Sequence, residues 1–355
     1  MPMPHYAALP VKRKPFNFKM EKSKKRSLVS GLVALTLILL LLYIVFRDNL
    51  PEIISALSEV SFPDVCLLLA MGLAYQLIDS TMCMELLRSR LPELSFRQGF
   101  ELTFLGAFGL TASSGAITIP MQSVYLERCG LDAGRSVGLL ILKFVYHKSA
   151  ILIYALVMLI PGFSWLREVL PESIKYVLPG IVIFLLIIAA LILLCTWKPV
   201  HVLAVKLLGL FPKKGKWPER REKWLRQIDL MYAEAAHLKG MKAVSAKVML
   251  LNFLKLTLLY MIPSVSLRCM GLHSPGILHS LILSAMMLLI SGVLPNVNGL
   301  GPLEFSFVFF YSAVAGSVEA SGAMLLYRIA TYFFPFIVSL PVFFIVERRL
   351  TRGKS

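Results

Sequence analysis

The sequence is poor in charged residues for its length. Only 16% of its 355 residues are Asp, Glu, Lys or Arg, whereas about a quarter of an average soluble domain is charged. Hydrophobic residues make up 57% of the chain, and they are concentrated in blocks of bilayer-spanning length. This composition excludes a soluble enzyme, a disordered chain and a disulfide scaffold. It predicts an all-α polytopic membrane protein.

Cysteine is also scarce. The five cysteines are Cys66, Cys83, Cys129, Cys195 and Cys269. They are odd in number and widely spaced, and they form no CxxC pair. Neither a disulfide framework nor a zinc site is expected from this pattern, so we predict no metal and no other cofactor.

Six apolar stretches are long enough for a membrane-spanning helix, which needs about 20 residues. They are 28–46, 62–82, 138–160, 176–197, 247–267 and 323–346. Two further apolar regions, 101–125 and 277–318, are interrupted by glycine, proline and polar residues. Because unpaired backbone groups facing lipid would cost several kcal/mol each, we predict two re-entrant helical hairpins there. The charge pattern leaves open whether 277–294 crosses completely.

Lys and Arg predict the orientation, because short cytoplasmic loops are enriched in them. The arm 1–27, the loop 198–246 and the tail 347–355 are basic and are expected in the cytoplasm. The segments 47–61 and 161–175 are expected outside. We therefore expect a multi-pass protein of the cytoplasmic membrane with both termini inside. The basic loop is expected to attract anionic lipids rather than nucleic acid.

The two halves of the transmembrane domain at 28–346 correspond after a shift of 185 residues. The shift moves the span 62–82 onto 247–267 and the span 138–160 onto 323–345. Because the members of each pair run in opposite directions, we predict an inverted repeat, with repeat one at about 62–160 and repeat two at about 247–346. Transporters with such repeats bind substrate near the midplane, where discontinuous helices meet.

Charged residues inside these apolar stretches need a partner or a function, because a charge at the bilayer centre costs at least about 2.5 kcal/mol. Lys143 and His147 share one helix face, and the shift places Arg328 at the position of Lys143. Together with backbone amides at the hairpin tips, these cations would bind an anion. The candidate substrate-binding residues are Asp79, Ser114, Gly115, Lys143, His147, Gly299, Gly301, Glu304 and Arg328.

Structural roles are open for several charged residues of these stretches. Asp79 could pair with a lysine and hold helices together, and Glu304 could pair with Arg328. Lys148 and Lys255 could reach the interface or pair with a carboxylate. His147 could be an interior histidine whose hydrogen bonds are satisfied.

Two motifs resemble a known family. Residues 294–304 read LPNVNGLGPLE and precede Arg328, and residues 113–130 read SSGAITIPMQSVYLERCG and precede Lys143. With the overall hydropathy, they resemble the transmembrane region of lysylphosphatidylglycerol synthases, a flippase-like family, over nearly the whole chain after residue 27. The family pattern of Pro, Gly-x-Gly-x-x-Glu and Arg matches Pro295, Gly299, Gly301, Glu304 and Arg328. Ser123, Lys143 and Leu303 stand where that family often has Arg, which leaves the headgroup open.

The resemblance implies lipid translocation across the cytoplasmic membrane. The expected substrate and partner is a membrane lipid: an anionic or aminoacylated phospholipid, or a polyprenyl-linked lipid. Bifunctional members carry a soluble aminoacyl-transfer domain after the membrane region, and the nine residues after 346 leave no room for one. We therefore do not expect lysyl-lipid synthesis by this chain, and an enzymatic function is the less favoured interpretation.

Two alternatives stay open from the sequence. One is an integral-membrane glycosyltransferase that uses polyprenyl-phosphate sugars. The other is a membrane partner of a separate lipid-modifying enzyme, with 198–246 as its docking surface. No ATP-binding motif occurs in the sequence, so uphill transport would require an ion gradient or a partner. The oligomeric state cannot be predicted from these patterns.

Overall fold

The structure, a computed structural model, is built of helices. It describes residues 50–58, 60–113, 115, 117–209, 217–294 and 301–352. The α-helices of this part are α1 (Leu50–Ser58), α2 (Phe62–Leu87), α3 (Phe96–Ser113), α4 (Thr118–Arg128), α5 (Ala133–Val169), α6 (Ile174–Thr196), α7 (Lys198–Gly209), α8 (Trp217–Gly240), α9 (Lys242–Cys269), α10 (Ile277–Val293), α11 (Pro302–Ala315), α12 (Ser317–Arg328) and α13 (Phe334–Arg352). A 3-10 helix (Pro171–Ser173) joins α5 to α6, and a π-helix (Ile329–Phe333) joins α12 to α13. No strand occurs in these residues.

Five helical segments of the described part are long and apolar enough to cross a membrane. They are Phe62–Leu87, Ala133–Val169, Ile174–Leu194, Lys242–Cys269 and Ser317–Arg349. Each overlaps a span predicted from the sequence, so the prediction of an all-α polytopic membrane protein is confirmed. The sixth predicted span, 28–46, and the basic arm 1–27 lie outside the described residues.

The predicted outer loop at 161–175 is shorter in the structure. Helix α5 continues through Pro161 and ends at Val169. Gly162 and Leu166 are buried beyond the proline, and a Cβ at Gly162 would lie 2.8 Å from the Ile282 side chain of α10. This close packing keeps the segment helical, although the proline removes one backbone hydrogen-bond donor.

The connection 198–246, predicted as a basic cytoplasmic loop, contains the helices α7 and α8, and its place in the cytoplasm stays a prediction. Helix α8 packs along α5. Its buried residues Met231, Ala235 and Leu238 recur at the spacing of one helix face. Glu234 lies beside them and accepts a hydrogen bond from Arg90 Nε at 2.8 Å. The high density of basic residues hid this apolar stripe in the sequence.

The first hairpin is formed by α3 and α4, which are antiparallel. Two glycines of α3 allow the arms to approach closely: a Cβ at Gly106 would lie 2.6 Å from the Gln122 amide, and one at Gly109 would lie 2.8 Å from the Cα of Thr118. The Gln122 amide donates a hydrogen bond to the Leu102 carbonyl at 2.9 Å. Both glycines were expected to interrupt the helix, but α3 runs unbroken to Ser113.

The second hairpin is formed by α10 and α11, which pack against each other. They contain 17 and 14 residues, whereas a spanning helix needs about 20. The Ser284 and Tyr311 hydroxyls join the two arms at 2.7 Å. Gly292 was expected to interrupt this region but lies inside α10. With 17 residues, α10 lies at the lower limit of about 17 for a spanning helix, so its re-entrant course stays a prediction.

Candidate functional site

The carboxylate of Asp79 joins three long helices. Asp79 lies on α2, and its Oδ2 accepts a hydrogen bond from Lys143 Nζ of α5 at 2.6 Å. Its Oδ1 accepts one from Lys255 Nζ of α9 at 2.7 Å. Lys255 is 2% exposed, whereas the side chains of Lys143 and Asp79 keep 18% and 13% of their surface. Two ammonium groups thus share one carboxylate, and this cluster carries one excess positive charge.

His147 lies on the same side of α5 as Lys143 but does not contact the carboxylate of Asp79. Its Nδ1 lies 3.2 Å from the amide oxygen of Asn252 on α9. The Asn252 amide in turn donates to the Val248 carbonyl at 3.0 Å. This satisfied interior histidine is the structural alternative that the sequence left open, and its role in substrate binding stays a prediction.

Glu304 and Arg328 form an ion pair, which is one of the alternatives weighed from the sequence. Glu304 lies in the first turn of α11 and is 8% exposed, and Arg328 is the last residue of α12 and is 5% exposed. The second carboxylate oxygen of Glu304 accepts a hydrogen bond from the backbone amide of Gly301 at 2.7 Å. Glu304 therefore fixes the start of α11 and holds the buried guanidinium group at the tip of the second hairpin.

The tip of the first hairpin reaches the same place. Tyr332 follows Arg328 by one helical turn, and the guanidinium carbon lies 5.2 Å from the centre of its ring. The Tyr332 hydroxyl lies near that of Thr111, at the end of α3, but makes no hydrogen bond in the described part of the chain. Phe108, one turn earlier on α3, stacks on Phe343 of α13 with ring centres 4.2 Å apart. Both hairpin tips therefore converge on Arg328 and Tyr332.

The π-helix at Ile329–Phe333 shapes this convergence point. It begins directly after Arg328, and its Ala330 backbone packs on Gly72 of α2 so closely that a Cβ at Gly72 would lie 2.9 Å from the Ala330 carbonyl carbon. Single π-turns inside long helices occur frequently at functional sites. The π-helix and Gly72 together allow α2 to pack close to the ion pair of Glu304 and Arg328.

The two charged clusters occupy different levels of the bundle. Gly72 lies against the π-helix beside Arg328, and Asp79 follows it seven residues later on α2. Seven residues of α-helix correspond to about 10 Å. Lys143 and Arg328 were expected to face one anion together, but each binds its own carboxylate. Their joint role in substrate binding stays a prediction.

The hairpin-tip amides were expected to be free for an anion. In the structure, the Gly301 amide donates to Glu304, and the Gly115 amide donates to the Leu110 carbonyl at 3.1 Å. Both glycines have positive φ angles, of 98° and 85°, which allow these turns without strain. The other two tip residues, Ser114 and Gly299, lie outside the described residues.

Sequence reasoning missed a cluster around Glu101 on α3. Its buried carboxylate contacts Arg97 at 3.0 Å, Arg349 of α13 at 2.9 Å and the Tyr125 hydroxyl of α4 at 2.8 Å. Glu101 lies inside an apolar stretch, which was the available signal. Its partners could not be recognised, because Arg349 is 248 positions away. In the described part of the chain, no three His, Cys, Asp or Glu side chains are grouped to hold a metal ion.

Several apolar helices with buried ion pairs define this chain as an integral, multi-pass membrane protein. A family model described as the lysylphosphatidylglycerol synthase TM region matches residues 29–339. The chain therefore belongs to this family, which confirms the resemblance stated from the two motifs. No curated protein and no solved structure matches it.

Proposed function

We propose that this protein is a lipid transporter, in which a headgroup passes the point where the two hairpin tips meet. The observation that carries this proposal is the convergence of Glu304 and Thr111, one from each hairpin, on Arg328 and Tyr332. A buried charge is expensive in a membrane and typically marks a substrate path. The lipid is an anionic or aminoacylated phospholipid or a polyprenyl-linked lipid, and it crosses the cytoplasmic membrane.

The ion pair suggests how the site works. Arg328 and Glu304 neutralise each other while no substrate is bound. A lipid phosphate can replace the carboxylate at the guanidinium group, because the planar fork of Arg forms paired hydrogen bonds to two oxygens of either group. Glu304 would then release Arg328 and loosen the start of α11, since the same carboxylate holds the Gly301 amide. Substrate binding is thereby linked to movement of the second hairpin.

The helix bounds support the inverted repeat on which this mechanism draws. The shift of 185 residues moves α4 (Thr118–Arg128) onto 303–313, where the structure has α11 (Pro302–Ala315). It moves the start of α5 at Ala133 onto 318, and α12 starts at Ser317. A repeat of two spans around a hairpin is the architecture in which two halves rock about a fixed midplane site.

A proteoliposome assay tests the proposal. The purified chain is reconstituted in phosphatidylcholine vesicles with a fluorescent phosphatidylglycerol, and transbilayer movement is followed by chemical quenching of the outer leaflet. We expect movement above that of empty vesicles. We expect Arg328→Gln to slow it at least about tenfold, the loss typical of one charge-assisted hydrogen bond. The control Lys175→Gln removes a cation that pairs with Glu172 at a 67% exposed position and should leave the rate unchanged.

Two results would contradict the proposal. The first is transbilayer movement equal to that of empty vesicles for phosphatidylglycerol, lysyl-phosphatidylglycerol and a polyprenyl phosphate alike. The second is a wild-type rate in the Arg328→Gln protein. The second result would leave transport intact but would remove the hairpin-tip pair from it.

A further inference from the structure

Lys148 is a cation for which the described residues offer no carboxylate. It lies on α5 one residue after His147, and it makes no ion pair and no hydrogen bond in the described part of the chain. Its ammonium group instead lies 5.5 Å from the centre of the Phe144 ring and 5.6 Å from that of Phe184 on α6. Cation–π contacts of this kind stabilise a cation only partly.

The depth of Lys148 makes this arrangement costly. It lies 10 residues after Gly138, which packs on α8, and 12 residues before Ile160. These separations correspond to about 15 and 18 Å along the helix. The four-carbon stem of a lysine is shorter than either distance, so the ammonium group stays inside the apolar region. A cation held there without a carboxylate marks a functional site by default.

Lys148 is only partly buried and lies at the edge of the described bundle. Phe144 is 49% exposed, so this part of α5 lies at the surface of the described bundle. On the other side lies Gly292 of α10: a Cβ at Gly292 would lie 3.4 Å from Lys148 Nζ. Gly292 is two residues before Leu294, close to the tip of the second hairpin. The ammonium group thus lies between the exposed surface of α5 and that tip.

While no lipid is bound, no carboxylate of the described residues in this region is free to receive a headgroup ammonium. Asp79 binds two lysines, Glu304 binds Arg328, and Glu101 binds Arg97 and Arg349. The Asp79 cluster retains one positive charge, and Lys148 adds another. The interior of the described bundle is therefore electropositive, which favours an anionic ligand over a cationic one.

We propose that Lys148 is a lateral docking site for the phosphate of an anionic lipid, reached from the bilayer between α5, α6 and α10. At this docking step the site selects lipids with a net negative headgroup over lysyl-phosphatidylglycerol, whose two ammonium groups outnumber its single phosphate charge and would find no free carboxylate there. This inference rests on the proposed function for its role in transport, but the binding itself does not require transport.

Spin-labelled lipids test the site directly. The full-length protein is reconstituted in phosphatidylcholine, and the immobilised fraction of labelled phosphatidic acid, phosphatidylglycerol, lysyl-phosphatidylglycerol and phosphatidylcholine is measured by electron paramagnetic resonance. We expect the two anionic lipids to associate about fivefold more strongly than phosphatidylcholine, the effect of one lysine near a lipid phosphate. Lysyl-phosphatidylglycerol should associate no more strongly than phosphatidylcholine.

Three variants assign this preference to a residue. Lys148→Gln should reduce the association of the anionic lipids about fivefold, whereas Lys148→Arg should retain it. Lys175→Gln removes one charge outside the apolar region and should also retain it. If Lys148→Gln kept the wild-type preference for anionic lipids, the docking site at Lys148 would be overturned. Other basic residues of the protein would then explain that preference.

The comparison of lipids in the wild-type protein needs no substitution, and it decides the headgroup class even if Lys148→Gln fails to fold. Association of lysyl-phosphatidylglycerol as strong as that of phosphatidylglycerol would overturn the selectivity. Selective binding without transbilayer movement would contradict the proposed function and leave the docking site standing. Transbilayer movement of phosphatidylglycerol without selective binding would contradict the docking site and leave the proposed function standing.

Discussion

The carboxylate of Asp79 binds the ammonium group of Lys143 at 2.6 Å, across 64 positions of the chain. The same carboxylate binds Lys255, which is 176 positions away. One side chain on α2 thereby binds both α5 and α9, which also contact each other through His147 and Asn252. The helices of the two predicted repeats are thus joined by charge as well as by apolar packing, because α2 and α5 belong to the first and α9 to the second.

Replacement of Asp79 should destabilise the protein strongly. In Asp79→Asn, two buried ammonium groups lose their only carboxylate, and breaking a buried pair in this way typically costs about 3–5 kcal/mol. We expect a lower midpoint of thermal unfolding in detergent, measured by intrinsic tryptophan fluorescence or by size-exclusion chromatography after heating.

The matched control is Lys255→Met, which removes one of the two cations and leaves Asp79 paired with Lys143. A methionine of similar length fills the space of a side chain that is 2% exposed. We therefore expect a smaller loss than in Asp79→Asn. An equal or greater loss would show that Lys255, rather than the shared carboxylate, holds the three helices.

Close packing in the first hairpin makes a second prediction. A Cβ at Gly109 would lie 2.8 Å from the Cα of Thr118 on the other arm, and backbone at that distance cannot give way cheaply. Gly109→Ala should therefore cost about 1–3 kcal/mol, as overpacking in a core typically does. The measurement is the midpoint of thermal unfolding in detergent.

Gly240→Ala is the control for that substitution, because no atom lies within 4 Å of a Cβ at the end of α8. It should be neutral or slightly stabilising. Equal melting of the Gly109→Ala and wild-type proteins would mean that the hairpin arms can separate without loss.

The docking of α8 makes a third prediction. Glu234 is 1% exposed, and it binds Arg90 at 2.8 Å and lies 3.8 Å from Arg135. Glu234→Gln weakens both contacts, so α8 should leave α5 more often and expose its basic flank. We expect faster trypsin cleavage within 198–240, followed by gel electrophoresis. Glu222→Gln, an exposed substitution on the same helix, should cleave at the wild-type rate.

Much of the fold could be predicted because the bilayer imposes simple rules on the sequence. Hydropathy predicted the spans, and the apolar regions interrupted by glycine, proline and polar residues predicted both hairpins. Glycine was the main source of error: Gly106 and Gly109 looked like helix breaks, but they are close contacts with α4. A glycine can either interrupt a helix or allow a second helix to pack closely against it. Which of the two occurs depends on the neighbouring helix, which the sequence does not identify.

The sequence identified most of the charged residues of the site but not the partner that each of them binds. The charges inside apolar stretches, except Glu101, were recognised as requiring compensation, and Glu304 with Arg328 was one of the pairs considered. The sharing of Asp79 by two lysines depends on how α2, α5 and α9 pack. A single sequence contains no signal for the contact of Asp79 with Lys255, which is 176 positions away. One anion site was therefore predicted where the structure has the Asp79 cluster of three residues and a separate Glu304–Arg328 pair.

A double-mutant cycle on Glu304 and Arg328 makes the last prediction. Glu304→Gln leaves a 5% exposed guanidinium without its carboxylate, and Arg328→Gln leaves the carboxylate without its cation. Each single substitution should lower stability markedly, whereas the double substitution removes both charges and should cost less than the two single losses combined. We expect a coupling of about 0.5–3 kcal/mol, the range for residues in one ion pair, from chemical unfolding in detergent. Strictly additive losses would mean that the two side chains act independently, and the hairpin tip would then have to be held by the Gly301 contact of Glu304 alone.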